Sequence, residues 1–127
     1  MNNERGRLTE DLEKAKLWAL KNLSGKKVFH KDISANILFN KEGISHAIYA
    51  KTYPEKIELI YNVLEIIKNS TLFSIEKDKK GRPDIKSIYR FVSLWKHKNK
   101  EYFVYIIVRE NKQGHFFYDH GIIKEKP

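Results

Sequence analysis

Histidines and arginines with suggestive neighbours are the places to look for chemistry in this chain of 127 residues. His46 lies in Gly43-Ile44-Ser45-His46, in a short stretch where Ile44, Ala47 and Ile48 mark the buried side of a helix. At about 100° per residue, Glu42, His46 and Tyr49 gather on the opposite side. His46 is therefore expected at the surface beside a carboxylate and a phenol, where an imidazole serves as general base or acid. The competing reading is an ordinary surface histidine. His115 and His120 flank a closing strand and are five residues apart. An odd spacing sends them to opposite faces of a regular strand, so they cannot share one site. His120, beside Asp119 at a strand end, is the better candidate of the two. Gly81-Arg82-Pro83, set among Lys77, Lys79 and Lys80, reads equally as a hairpin turn with a solvated arginine or as a phosphate grip. No H-E-x-x-H or other paired metal-ligand spacing occurs, and the Walker and dinucleotide fingerprints are absent.

These side chains must be held by elements that the hydrophobic pattern outlines. Leu8, Leu12, Ala15, Ala19 and Leu23 recur at helical spacing, with Thr9 as a cap and Ser24-Gly25 as the stop. Lys26 to His30 and Ile33 to Phe39 read as one or two short strands. Thr52 and Glu55 have capping-box spacing, and Pro54 falls at a first helical position that tolerates a missing N–H. Ile57, Ile60, Tyr61, Leu64 and Ile67, broadened by Leu59, Val63 and Ile66, then make the stripe of a central core helix.

After Asn69-Ser70 the texture becomes that of strands: Leu72 to Glu76, Ile85 to His97, Tyr102 to Arg109 and His115 to Asp119. The separators are short and charged, as hairpin loops are, which makes successive strands antiparallel neighbours. The expectation is an α+β domain in which N-terminal helices pack on a four-stranded antiparallel meander. Alternation places Arg90, Val92, Leu94 and Lys96 on one face and Tyr89, Phe91, Ser93 and Trp95 on the other. It divides the next strand as Tyr102, Val104, Ile106 and Val108 against Phe103, Tyr105, Ile107 and Arg109. The last strand divides as His115, Phe117 and Asp119 against Phe116, Tyr118 and His120. An uncovered face bearing aromatic rings beside Arg, Lys and His offers stacking platforms and phosphate contacts together, as single-stranded RNA requires.

Composition sets the frame. The length suits a single domain with a core of its own, read as a first helix over 1–25, a core over 26–120 and a tail over 121–127. The formal charge of +9 attracts polyanions. The chain holds no cysteine, which excludes disulfides, thiolate zinc sites and a cysteine nucleophile. No signal-peptide or membrane-span pattern appears, so a cytoplasmic setting without membrane contact is expected. Neither cofactor nor metal is called for, and oligomeric state is not legible.

Several strings resemble the nuclease-like domains of phage and mobile-element polyvalent proteins, grouped with the barnase, EndoU, colicin and RelE superfold. They are Gly43-Ile44-Ser45-His46, the run Glu76 to Lys86, the strand Tyr102 to Glu110 and the closing Tyr118-Asp119-His120. The resemblance covers about residues 26–120. It implies a metal-independent endoribonuclease in which the RNA 2′-hydroxyl attacks the adjacent phosphate, a step needing a base, an acid and cations. It further implies His46 as base or acid, Arg90 or Arg82 at the phosphate, and His120 or Tyr118 donating the departing proton. Lys51, Lys80, Lys96 and Arg109 add cationic contacts to RNA, and a cognate immunity or antitoxin protein is an implied partner. The alternative is a noncatalytic nucleic-acid-binding or accessory domain. An inhibitor of a nuclease fits worse, because such partners mimic nucleic acid with acidic surfaces.

Overall fold

The computed structural model describes residues 3–44 and 54–127. Helices α1 (Asn3–Asn22) and α2 (Pro54–Lys68) accompany strands β1 (Lys27–His30), β2 (Ala35–Leu38), β3 (Thr71–Lys77), β4 (Ile85–His97), β5 (Lys100–Asn111) and β6 (Phe116–Glu125). Residues 41–44 are helical as well.

The architecture corrects the expected four-stranded meander and, with it, the barnase-like arrangement. All six strands form one mixed sheet in the order β1-β2-β6-β5-β4-β3, curled into a half-barrel. Strands β3 to β6 are antiparallel neighbours. The difference comes from the first half of the chain, where β1 pairs with β2 and β2 runs parallel to β6 through Ile37↔Phe116 and Leu38↔Phe117. Parallel pairing between segments so distant in sequence leaves no local turn signal.

Helix α2 lies against β1, β4 and β6, and α1 lies against α2. This layering explains the wide apolar stripe of α2. Ile57, Leu59, Ile60, Val63, Ile66 and Ile67 are all buried and occupy about half of its circumference. A helix that meets a curled sheet on one side and a second helix on another needs such a face. From α1, Ala15 and Ala19 complete the core, their small side chains allowing close helix approach, and Leu23 follows just beyond the helix end. At the sheet, Leu59 comes so near β6 that a Cβ on Gly121 would stand 2.9 Å from its Cδ2. Only glycine fits there without displacement.

The curl is fastened where the free ends of the sheet meet. His30, at the end of β1, is buried against the Phe91 ring at 4.5 Å. Its Nε2–H donates to the Ser70 carbonyl at 2.9 Å, and its Nδ1 accepts the Asp32 N–H at 3.1 Å. The Asp32 carboxylate accepts the Leu72 N–H at 2.9 Å, covering one donor on the β3 edge.

Candidate nucleic-acid interface

The helices pack on one face of the sheet; the other carries a small buried cluster of Ile85, Ile88 and Ile107 and, away from it, an open surface. Because partners across a ladder share a face, the register spells out this open surface. One row reads Glu76, Ile88, Arg109 and Phe117; the next Ser74, Arg90, Ile107 and His120; the next Thr71, Val92, Tyr105 and Ile122; and the last Leu94, Phe103 and Lys124, with Lys96 beyond. The surface has an ionic half and an aromatic half.

The ionic half depends on a β-bulge. Ile107 pairs with His120 and Val108 with Tyr118, so Asp119 is the extra residue of β6. The bulge reverses the alternation: His120 shares a face with Phe117, not with Tyr118. Asp119 Oδ2 accepts a 2.7 Å hydrogen bond from His120 Nδ1, while Oδ1 stands 3.6 Å from Arg109 Nη1. That bond selects the Nδ1–H tautomer of a neutral ring and leaves Nε2 as its basic nitrogen. Arg109 and Asp119 are only 13% and 12% exposed, which makes this a nearly buried ion pair. One row away, Arg90 Nη2 lies 3.4 Å from Glu76 Oε2, and Ser74 Oγ donates to Glu76 Oε1 at 3.2 Å.

The loop joining β3 to β4 closes this end of the surface. The backbone N–H groups of Lys80 and Arg82 donate to the Asp78 carboxylate, as does Arg82 Nε at 3.0 Å. The Arg82 side-chain hydrogen bond is the first cause that holds the Asp78 pKa down at about 2. Arg82 is shifted upward, chiefly by the same bond, with added attraction from Asp119 and Asp84. The loop and the sheet network are thus electrostatically coupled.

In the aromatic half, the bulge between Leu72 and Ser74 in β3 turns Phe73 onto the open side. Its ring meets Tyr105 edge-on at 5.9 Å, and Lys124 Nζ lies 5.8 Å from the Tyr105 ring centre. Phe73 and Leu94 are more than half exposed, at 52% and 56%, and Ile122 adjoins them. Lys96 and Lys124 have no carboxylate partner within salt-bridge distance among the described residues.

Among the residues singled out from sequence, Arg90, Lys96, Arg109 and His120 share this face, Lys96 at its far end, with Arg82 and exposed Lys80 in the adjoining loop. Tyr118 is on the helix side, stacked on Phe39 at 4.8 Å, where burial drives its hydroxyl pKa far upward. His46, Tyr49 and Lys51 lie outside the described residues. Gly43 is placed directly against the Tyr118 carbonyl, with no space for a Cβ, and its N–H donates to Asn40 Oδ1 at 2.8 Å. Sequence reasoning missed Phe73, Tyr105 and Lys124 as site residues. The available signal for Lys124 was Gly121-Ile122-Ile123, which continues the strand with alternating burial through a segment read as a tail. Among the described residues, no group of three His, Asp or Glu is arranged to hold a metal ion, and no helix is long and apolar enough to cross a membrane.

A half-barrel wrapped on a helix, with a basic and aromatic outer face, defines the class of domain. The chain matches the model of the family described as large polyvalent protein-associated domain 3 over residues 7–118, and it belongs to that family. This supports the polyvalent-protein part of the resemblance; the nuclease superfold finds no such support. No curated protein and no solved structure matches the chain.

Proposed function

We propose that this domain is an accessory nucleic-acid-binding module that holds single-stranded RNA across the open face of its sheet. The observation that carries the reading is the presence of Phe73 and Tyr105 on the same uncovered surface as Lys96, Lys124, Arg90 and His120. Bases stack on the rings while cations meet the phosphates. The cations contribute unequally. Lys96 and Lys124 are available at once, and the half-exposed Arg90–Glu76 pair opens at small cost. Arg109, nearly buried on Asp119, stays where it is and shapes the surface.

Fluorescence anisotropy with a labelled single-stranded RNA tests this. Phe73→Ala with Tyr105→Ala should weaken binding by roughly 30-fold or more, given about 1–3 kcal/mol for each of two stacked bases. Lys96→Gln with Lys124→Gln should reduce the dependence of log K on log salt by roughly 1.4, about 0.7 per lost phosphate contact on a single strand. Wild-type affinity in both double variants would remove the basis of the proposal.

A second reading, an endoribonuclease, is favoured by one observation: Asp119 holds both His120 and Arg109, with Arg90 in the same row as His120 across Ile107. In that reaction the 2′-oxygen bonds to phosphorus, the 5′-oxygen leaves, one base accepts a proton and one acid supplies a proton. His120 is placed for one of these roles, whereas Tyr118 faces the core. Incubation with transfer RNA in EDTA separates the readings: cleavage lost in His46→Ala with His120→Ala supports the enzyme, and binding without cleavage supports the accessory module.

A further inference from the structure

The pairing of β4 with β3 begins only at Val92↔Thr71, yet β4 and β5 continue to His97↔Lys100, flanked by β6 as far as Glu125↔Tyr102. Ser93 to His97 therefore form an overhang beyond the start of β3. Its tip is a two-residue turn in which Lys98 and Asn99 both have positive φ, 50° and 64°. Such turns favour Asn-Gly, because a residue with a longer side chain resists this conformation. A lysine at a position that suits asparagine better spends turn stability on a side chain whose charge stands at the tip.

Two further observations bear on that charge. The overhang is stiff: Trp95 stacks on His97 at 5.0 Å with 15° between the rings, and it packs near Tyr102 at 5.9 Å. Its cations also point in more than one direction. Lys96 is on the open face, Lys100 is on the helix-side face opposite His97, and Lys98 is at the turn. Lys126 adjoins them through its N–H bond to the Glu101 carbonyl. The carboxylates here, Glu101 and Glu125, accompany Lys126 and Lys100 in exposed pairs.

We infer that this tip is a second nucleic-acid contact, which enters the wide, shallow groove of a double-stranded RNA stem and lies between its two phosphate chains. A single strand presents phosphates along one line, whereas a rigid prong charged on both faces fits two lines of phosphate. The inference rests on the reading of the open face as an RNA surface, and it makes a junction between stem and single strand the preferred ligand.

The test uses two labelled probes, a single-stranded RNA and a stem-loop carrying the same sequence as a 3′ tail. Asparagine suits the positive φ of position 98, so Lys98→Asn should raise Tm while lowering affinity for the tailed stem by roughly 3- to 10-fold. The salt slope on that probe should fall by about 1, and binding of the tail alone should stay unchanged. Adding Lys100→Gln should deepen the effect. Tailed-stem affinity within twofold of wild type in the double variant overturns the inference, as does an equal loss on both probes. If Phe73→Ala with Tyr105→Ala leaves both probes bound normally while the tip variants lose the stem, the open-face reading fails and the tip contact stands. A wild-type protein that binds neither probe overturns both.

Discussion

His30 fastens the curl of the sheet, and replacing it measures that fastening. The ring is 1% exposed and ties β1 to the segment that opens β3 through the Ser70 carbonyl and the Asp32 N–H. His30→Phe keeps an aromatic ring against Phe91 and deletes both hydrogen bonds. Ser70 is itself buried, so its carbonyl loses a donor in a place water reaches poorly. That loss costs about 1–3 kcal/mol. His30→Ala removes the packing too and should cost about 3–5 kcal/mol, on the scale of a buried aromatic truncated to alanine. Urea unfolding should thus show a lower midpoint for His30→Phe and a much lower one for His30→Ala, with m unchanged if the native state keeps its compactness. Hydrogen exchange provides the local reading. Asp32, no longer held through its own N–H, should release the Leu72 amide, which should exchange faster relative to the amide of Ile106 in the middle of the sheet. A His30→Phe protein within about 0.5 kcal/mol of wild type, with Leu72 exchange unchanged, would refute the claim that this contact fastens the half-barrel.

Asp78 predicts an acid dependence. Its folded pKa of about 2 is below the ordinary 3.8, so its contribution to stability is present above 3.8 and is lost as pH falls through 2. NMR titration should find the low midpoint in wild type, and Arg82→Gln should move it back toward 3.8. Gly121→Ala forces Leu59 to move and should destabilise by about 1–3 kcal/mol in thermal unfolding, with recovery in the Leu59→Val double variant. Deleting Asp119 leaves His120 and Tyr118 in register with Ile107 and Val108 but strips Arg109 of its carboxylate; it should give a folded protein destabilised by about 3 kcal/mol, measured by urea midpoint.

What could be read from the sequence was whatever depends on neighbouring residues. Strand β4 coincides with the alternating run Ile85 to His97, and α2 begins at Pro54 as its punctuation suggests. Face assignments along β4 and β5 hold because those strands pair regularly through the region that carries Arg90, Lys96 and Arg109. Legibility fails at the two bulges. An extra residue at Asp119 inverts the faces of β6, which brings His120 to the arginines and separates it from Tyr118. A second at Leu72–Ser74 exposes Phe73. A bulge is set by how two strands match across the sheet, and one strand's composition does not encode it. The same reason hides the parallel contact of β2 with β6 and hence the half-barrel.

The net charge of +9 gains meaning from where each cation is held. Arg82, Arg90 and Arg109 stand beside Asp78, Glu76 and Asp119, so the planar guanidinium groups organise the ionic half of the face more than they charge it. The long-range field comes instead from lysines: Lys79 and Lys80 in the loop, and Lys96 and Lys124 on the sheet. Lysine is a mobile, strongly hydrated point charge and suits phosphates whose positions vary along a flexible strand. Geometry and attraction are therefore assigned to different residue types. Salt should weaken capture by the lysines far more than it disturbs the Arg109–Asp119 pair, which little water reaches. If the open face binds RNA as proposed, such a division lets the surface keep its own shape while its lysines follow the strand.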